Sequence, residues 1–149
     1  MKKGFTLLEV VVSVAALMLV FSAGWFSFSS YAARRELESG ATRVAALIIE
    51  ARSKTLAGEN SSAYGVHFEQ DRAALFRAPT YVSGSADNKT EMLARRTLIS
   101  SIDFTNSEVV FKRLTGAAVS SGSVTLSVRG NLSLIKIITV ESVGTIEVE

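Results

Sequence analysis

One acidic side chain sits inside an otherwise apolar run. Residues 5–28, FTLLEVVVSVAALMLVFSAGWFSF, hold Glu9 and, as other polar groups, only small hydroxyls. A carboxylate in an apolar helix costs about 2.5–3.5 kcal/mol at mid-membrane, so it marks a function unless something offsets the cost. Two offsets are open. A cationic partner would neutralise Glu9 in low dielectric, or the side chain would lie near enough to the interface to snorkel, favoured there by the positive end of the helix dipole. The rest of the chain offers less chemistry. His67 is the sole histidine and stands between Val66 and Phe68, so it builds no multi-histidine metal site and reads as an ordinary strand position. There is no cysteine, which excludes disulfides, thiolate metal sites, a cysteine nucleophile and an acylated lipoprotein cysteine. The serines fall in no G-x-S-x-G elbow, and no phosphate loop or H-E-x-x-H pattern occurs. No enzymatic activity, cofactor or metal is expected.

Two basic pairs, Arg95-Arg96 and Lys112-Arg113, are the candidate DNA contacts. Against them, basic pairs are most often solvated surface, and Glu141, Glu147 and Glu149 make the C-terminal part acidic. The net charge of +2 adds little. Lys2 and Lys3 precede the apolar run in what reads as a removable leader, and removing them from the 16 Lys and Arg leaves 14 against 14 Asp and Glu. A neutral mature chain argues against nucleic acid as a partner. Three N-x-[ST] triplets begin at Asn60, Asn88 and Asn131, but so short a pattern arises often by chance.

These residues must be positioned by a long N-terminal helix. About 20 apolar residues span a bilayer, and Lys2 and Lys3 at the N-terminal end place that end in the cytoplasm. A cleaved secretory signal is the rival reading. It has a shorter apolar core, whereas here the run continues through Trp25, Phe26 and Phe28, and cleavage after Ala23 would put bulky Phe21 where a small residue is wanted.

The stretch MKKGFTLLEVVVSVAAL closely resembles the leader and N-terminus of type IV pilins and type II secretion pseudopilins. The resemblance implies that a prepilin peptidase cuts between Gly4 and Phe5 and methylates the new amine of Phe5, and that Glu9 is the acid of the fifth mature position. Gly4 suits a tight cleft because it has no side chain. The two lines of reasoning meet at Glu9, since cleavage creates a cationic amine. The Phe5 amine of an incoming subunit would pair with Glu9 of a neighbour and set axial register, the better-attested use of buried ionic groups. Packing of the apolar helices would supply most of the assembly energy.

Beyond residue 29 the helical pattern turns amphipathic. Leu37, Ala41, Val44, Ile48, Ala51 and Thr55 recur at steps of three and four, with charged residues over much of the remaining surface, and Ala57-Gly58 ends the pattern. A helix over residues 5–57 would be some 80 Å long at about 1.5 Å per residue. Gly24 and Gly40 interrupt it, each costing roughly 1 kcal/mol against alanine; bending, close helix packing and simple tolerance are all open for them. Many pilins have a proline about where Phe26 stands here, which leaves the place of any kink open. The rest reads as β-rich. Residues 64–68 and 73–76 flank a polar turn, residues 79–90 form an exposed loop, and strands are expected over 98–104, 109–114, 124–128, 132–140 and 146–148, with a tight turn at Arg129-Gly130-Asn131.

The stretches VVFKRLTGAAVSSGSVTLSV and LIKIITVESVGTIEVE are similar in strand and turn order to the GspH/FimT type of minor subunits. The expected fold class is α+β, a long N-terminal helix packed on a mostly antiparallel β-sheet head. The expected division is 1–4 leader, 5–29 transmembrane and assembly half of the helix, 30–58 amphipathic half, and 59–149 head. The expected function is that of a minor pilin or pseudopilin that helps initiate or cap a filament, with a DNA-binding minor pilin of an uptake pilus as the alternative. The resemblance implies other pilins or pseudopilins, a prepilin peptidase, an inner-membrane assembly platform and membrane lipid as partners. It also implies a single-pass inner-membrane chain with a periplasmic head that later enters the filament or reaches the cell surface.

Overall fold

The computed structural model describes residue 4 and residues 6–149, with the backbone alone for residues 23–29. Helix α1 runs Leu7–Ala57, 51 residues without an internal proline. Eight strands follow: β1 Tyr64–Phe68, β2 Arg72–Arg77, β3 Lys89–Met92, β4 Thr97–Asp103, β5 Glu108–Val110, β6 Gly122–Val128, β7 Asn131–Val140 and β8 Ile146–Val148. The chain divides into two compact units, Met1–Ala33 and Arg34–Glu149.

Within the first unit, every described side chain from Thr6 to Ser22 is exposed, including Leu7, Leu8, Leu19 and Phe21. Among the described residues, no helix is long and apolar enough to cross a membrane. The side chains of residues 23–29, which complete the apolar run in the sequence, lie outside that description.

The second unit holds the core. The helical stripe predicted from the spacing is buried at Leu37, Ala41, Val44, Ile48, Ala51 and Thr55, joined by Ala45 and Leu47. Gly40 belongs to the same face. A Cβ there would stand 3.4 Å from Thr97 and 3.8 Å from Leu126, so this glycine brings the helix close to β4 and β6. Thr55 carries the one hydroxyl of the stripe inside the core, and it is satisfied twice: it donates to the Ala51 carbonyl at 2.8 Å and accepts the Tyr64 N–H at 2.9 Å. A buried unpaired N–H is costly, so this contact ties the end of α1 to the start of β1. Gly58, with φ of 66°, stops the helix in the left-handed conformation that glycine adopts without a Cβ penalty.

The strands form two antiparallel sheets, ordered β3-β2-β1-β5 and β4-β6-β7-β8. The β1–β2 hairpin pairs Tyr64 with Arg77 and Phe68 with Ala73 around the polar turn. Stacked Phe68 and Phe104, with ring centroids 5.5 Å apart, join buried Phe76, Phe111, Val124, Leu126 and Ile138 in the core. Gly65 and Gly122 admit close backbone approach. A Cβ on Gly65 would lie 2.6 Å from the Val109 carbonyl, and one on Gly122 would strike the Asp103 carbonyl.

Three strand expectations are corrected. The loop expected over 79–90 ends early, because Lys89 and Thr90 open β3, an exposed edge strand whose polar sequence shows no apolar alternation. The strand expected over 109–114 ends at Val110. Phe111 makes only a single bridge to Ala118, and Leu114 turns away with φ of 72°. The strand expected over 98–104 is β4 Thr97–Asp103, and it shifts register between Ile99 and Ser101, an irregularity that apolar alternation does not reveal.

Candidate assembly site

At the N-terminus the helix start is built by Thr6. Its carbonyl accepts the Val10 N–H at 3.2 Å, and its Oγ1 accepts the Glu9 N–H at 3.3 Å. A threonine with an acid three residues on is the capping-box spacing, and it satisfies a donor that the first helical turn leaves orphaned. Thr6 thus fixes Glu9 in the first turn of α1. This role was missed in reading the sequence, although the T-x-x-E spacing carries it.

Glu9 is exposed, and its carbonyl accepts the Ser13 hydroxyl at 2.7 Å. Among the described residues no cation lies within 4.0 Å of its carboxylate. Gly4 is exposed, with nothing within 4 Å of a Cβ built there. Phe5, the expected site of methylation, lies outside the described residues, as do Lys2 and Lys3. The described part of the site is therefore an acid in the first turn of α1, followed by apolar side chains that are exposed from Leu7 to Phe21. Each aliphatic side chain of that kind gains about 1.5–3 kcal/mol when it leaves water, whereas the attraction within a buried ion pair is largely offset by the desolvation of its charges. Apolar burial therefore dominates any assembly through this helix, and the acid can select register without supplying the energy.

The two basic pairs do not come together. Arg95 and Arg96 form the exposed turn before β4, whose first residue, Thr97, lies against Gly40. Lys112 and Arg113 stand on the exposed loop that closes through Gly116 N–H to the Lys112 carbonyl at 2.9 Å, and Gly116 packs on Leu56. Gly40 and Leu56 lie about 24 Å apart along α1 at about 1.5 Å per residue. The four candidate DNA contacts thus stand at two places on the head, one by Gly40 and one by Leu56 of α1.

His67 packs on Tyr81, with ring centroids 4.1 Å apart, and its Nδ1 lies 3.8 Å from Glu108. Among the described residues, no group of three or more His, Asp or Glu side chains is placed to hold a metal. A polar cavity of about 220 Å³ lies beside the end of the α1 segment. The ion pairs Lys54–Glu59, Arg77–Asp87 and Lys89–Glu50 around it already match its charges, which leaves no unbalanced charge for a ligand.

Residues 1–25 match the model of the prokaryotic N-terminal methylation motif. Among solved structures, the chain is similar to the type IV minor pilin FimU of Pseudomonas aeruginosa strain PAO1, with a TM-score of 0.59 and 17% identity over 78% of this chain and 90% of that one. A second crystal form of FimU gives a TM-score of 0.57 at 15% identity, over 76% of this chain and 92% of that one. The minor pseudopilin EpsH from the type 2 secretion system of Vibrio cholerae gives a TM-score of 0.56 at 9% identity, over 76% and 96%. No curated protein sequence matches the chain. At these identities the likeness establishes the fold, which is the pilin-like α+β arrangement of a long helix on antiparallel sheets.

Proposed function

We propose that this chain is a structural subunit, a minor pilin or pseudopilin, of a type II secretion or type IV pilus filament, and that it helps initiate or cap assembly. One observation carries the reading: an N-terminal methylation motif and a pilin-like head occur in the same chain. In this reading residues 1–4 are the leader, residues 5–29 form the membrane and assembly half of the helix, and residues 30–58 pack on a head that extends over 59–149. A prepilin peptidase cleaves after Gly4 and methylates Phe5. The apolar helix holds the chain in the inner membrane, with lipid and then other subunits covering it, until the assembly platform moves it into the filament. Glu9 pairs with the Phe5 amine of a neighbouring subunit. The capped first turn supports this by holding Glu9 in the first turn of α1 through Thr6. The separation of Arg95 and Arg96 from Lys112 and Arg113 disfavours the DNA-binding alternative.

Intact-mass analysis of the protein from its native host tests the reading. The expected mass is that of residues 5–149 plus one methyl group. A chain that begins near residue 24, or that retains Met1, would overturn it.

A further inference from the structure

Two loops of the head meet against the last turns of α1. The loop 112–117 closes through the Gly116 N–H, which donates to the Lys112 carbonyl at 2.9 Å, and the Lys112 N–H, which donates to the Ala117 carbonyl at 2.8 Å. The turn 141–145 closes through the Gly144 N–H to the Glu141 carbonyl and the Glu141 N–H to the Thr145 carbonyl, both at 2.9 Å. The Ala118 N–H joins the two by donating to the Ser142 carbonyl at 3.1 Å. Half-buried Arg52 of α1 clips the junction, its Nε donating to the Gly116 carbonyl at 3.0 Å. A Cβ on Gly144, whose φ is 88°, would strike the Gly116 carbonyl and stand 2.8 Å from Arg52 Nε. Glycine at this position is what lets the loops and the clip come together.

The loops so held carry apolar side chains into solvent. Leu114 has φ of 72° and is 92% exposed. Val143, on the adjoining turn, is 63% exposed, and Leu56, against Gly116, is 44% exposed. A leucine in the left-handed region is strained, and such strain persists where the surroundings enforce it and gathers at functional sites. A merely solvated turn gains nothing from leucine here, because glycine takes the same φ without a Cβ penalty. The charges are uneven as well. The two loops and their clip bring together three cations, Arg52, Lys112 and Arg113, and one acid, Glu141. Among the described residues, no carboxylate lies within 4.0 Å of any of the three cations.

Excess positive charge beside apolar side chains calls for a partner that offers both apolar surface and carboxylates. Fixed geometry decides between a protein and a lipid surface. A fluid bilayer rewards charge and apolar reach whatever their arrangement, whereas a face preorganised by a clip and a glycine contact favours a partner of fixed shape. We propose that Leu114, Val143 and Leu56, with Lys112 and Arg113 beside them, are a docking face for the head of a neighbouring filament subunit of another kind, whose matching surface carries apolar side chains and at least one carboxylate. Leu114 is the anchor that leaves water, the two exposed cations select for acid, and Arg52 is a positioning residue that holds the loops. The assignment rests on the filament-subunit reading given above.

The test uses the full chain in its native host. A photo-crosslinking side chain placed at position 143 should give adducts with another kind of filament subunit. Leu114→Gly removes the anchor and relieves the left-handed φ. The solubilised variant should therefore keep its Tm, while its share in filaments falls at least about tenfold, the scale of one aliphatic side chain leaving water. A structural turn alone would leave that share unchanged. Val143→Ser, at an exposed position outside the loop, should lower the share in the same way, and it decides the case if Leu114→Gly loses Tm. Unchanged incorporation of both variants overturns the proposal. Adducts only with lipid, or only with a second copy of this chain, overturn the choice of partner. A chain that enters filaments without adducts at position 143 defeats this proposal alone, whereas a chain absent from filaments defeats the filament reading and this one with it.

Discussion

In the proposed filament role, Glu9 acts in opposite directions on membrane insertion and on assembly. In the membrane it is a penalty of about 2.5–3.5 kcal/mol at mid-depth, smaller near the interface. In the proposed filament it is one half of a charge pair, and leaving the other half unmatched in a buried site would cost about 3–5 kcal/mol. Glu9→Ala should therefore insert at least as well as the unaltered chain while entering filaments at least about tenfold less. Crosslinking of inserted subunits to filament partners, at matched expression, reads both steps at once. Equal crosslinking for Glu9 and Ala would mean that the acid merely snorkels. The type and place of Glu9 were legible in the sequence because an acid in an apolar run is conspicuous. The T-x-x-E spacing of Thr6 and Glu9 also signals the cap, and the hydrogen bond from the Glu9 N–H to Thr6 Oγ1 shows it formed.

The elements of the head are joined by contacts that the sequence does not advertise. Thr55 occupies a core position on the helical stripe, where an apolar residue would pack equally well, yet it supplies the only acceptor for the Tyr64 N–H among the described residues. Thr55→Val should lower head stability by about 1–3 kcal/mol, the cost of a buried orphan donor, and Thr55→Ser should recover most of it. Urea titration of the two variants compares them directly. At the hairpin turn, the Arg72 guanidinium donates from Nε and Nη2 to Glu69 Oε2 at 3.0 and 2.7 Å and holds the carboxyl below its usual range. A carboxyl depressed in the folded state stabilises it above the unfolded pKa, and this contribution fades as pH falls through the folded value. Between about pH 5 and 2, thermal melts of Glu69→Gln should therefore lose less stability than those of the unaltered chain. The effect should be small, because the pair is about a third exposed.

At the scale of the whole molecule, the described core lies within the unit Arg34–Glu149, from Leu37 on the helix to Val140 on β7. A chain lacking residues 1–29 should therefore be soluble and monomeric, with a cooperative melt. Analytical ultracentrifugation checks this, and persistent aggregation would mean that the boundary is misplaced. Residues 5–29 offer little solvated surface besides Glu9 and small hydroxyls, so restoring them should require detergent. The sequence by itself determined the local features: the leader motif, the acid in the apolar run, the stripe from Leu37 to Thr55, the helix stop at Gly58 and the strands with clear apolar alternation. Each of these is written in neighbouring residues, through periodicity, capping or glycine's left-handed φ. Only the tertiary structure decided which strands share a sheet, that polar β3 is a strand, that Gly65 and Gly122 are close-approach points, and that the loops of Arg95 and Lys112 adjoin different stretches of α1. Such facts depend on which distant segments meet, and the pairing energy of a sheet comes from cross-strand neighbours that no local window of sequence contains.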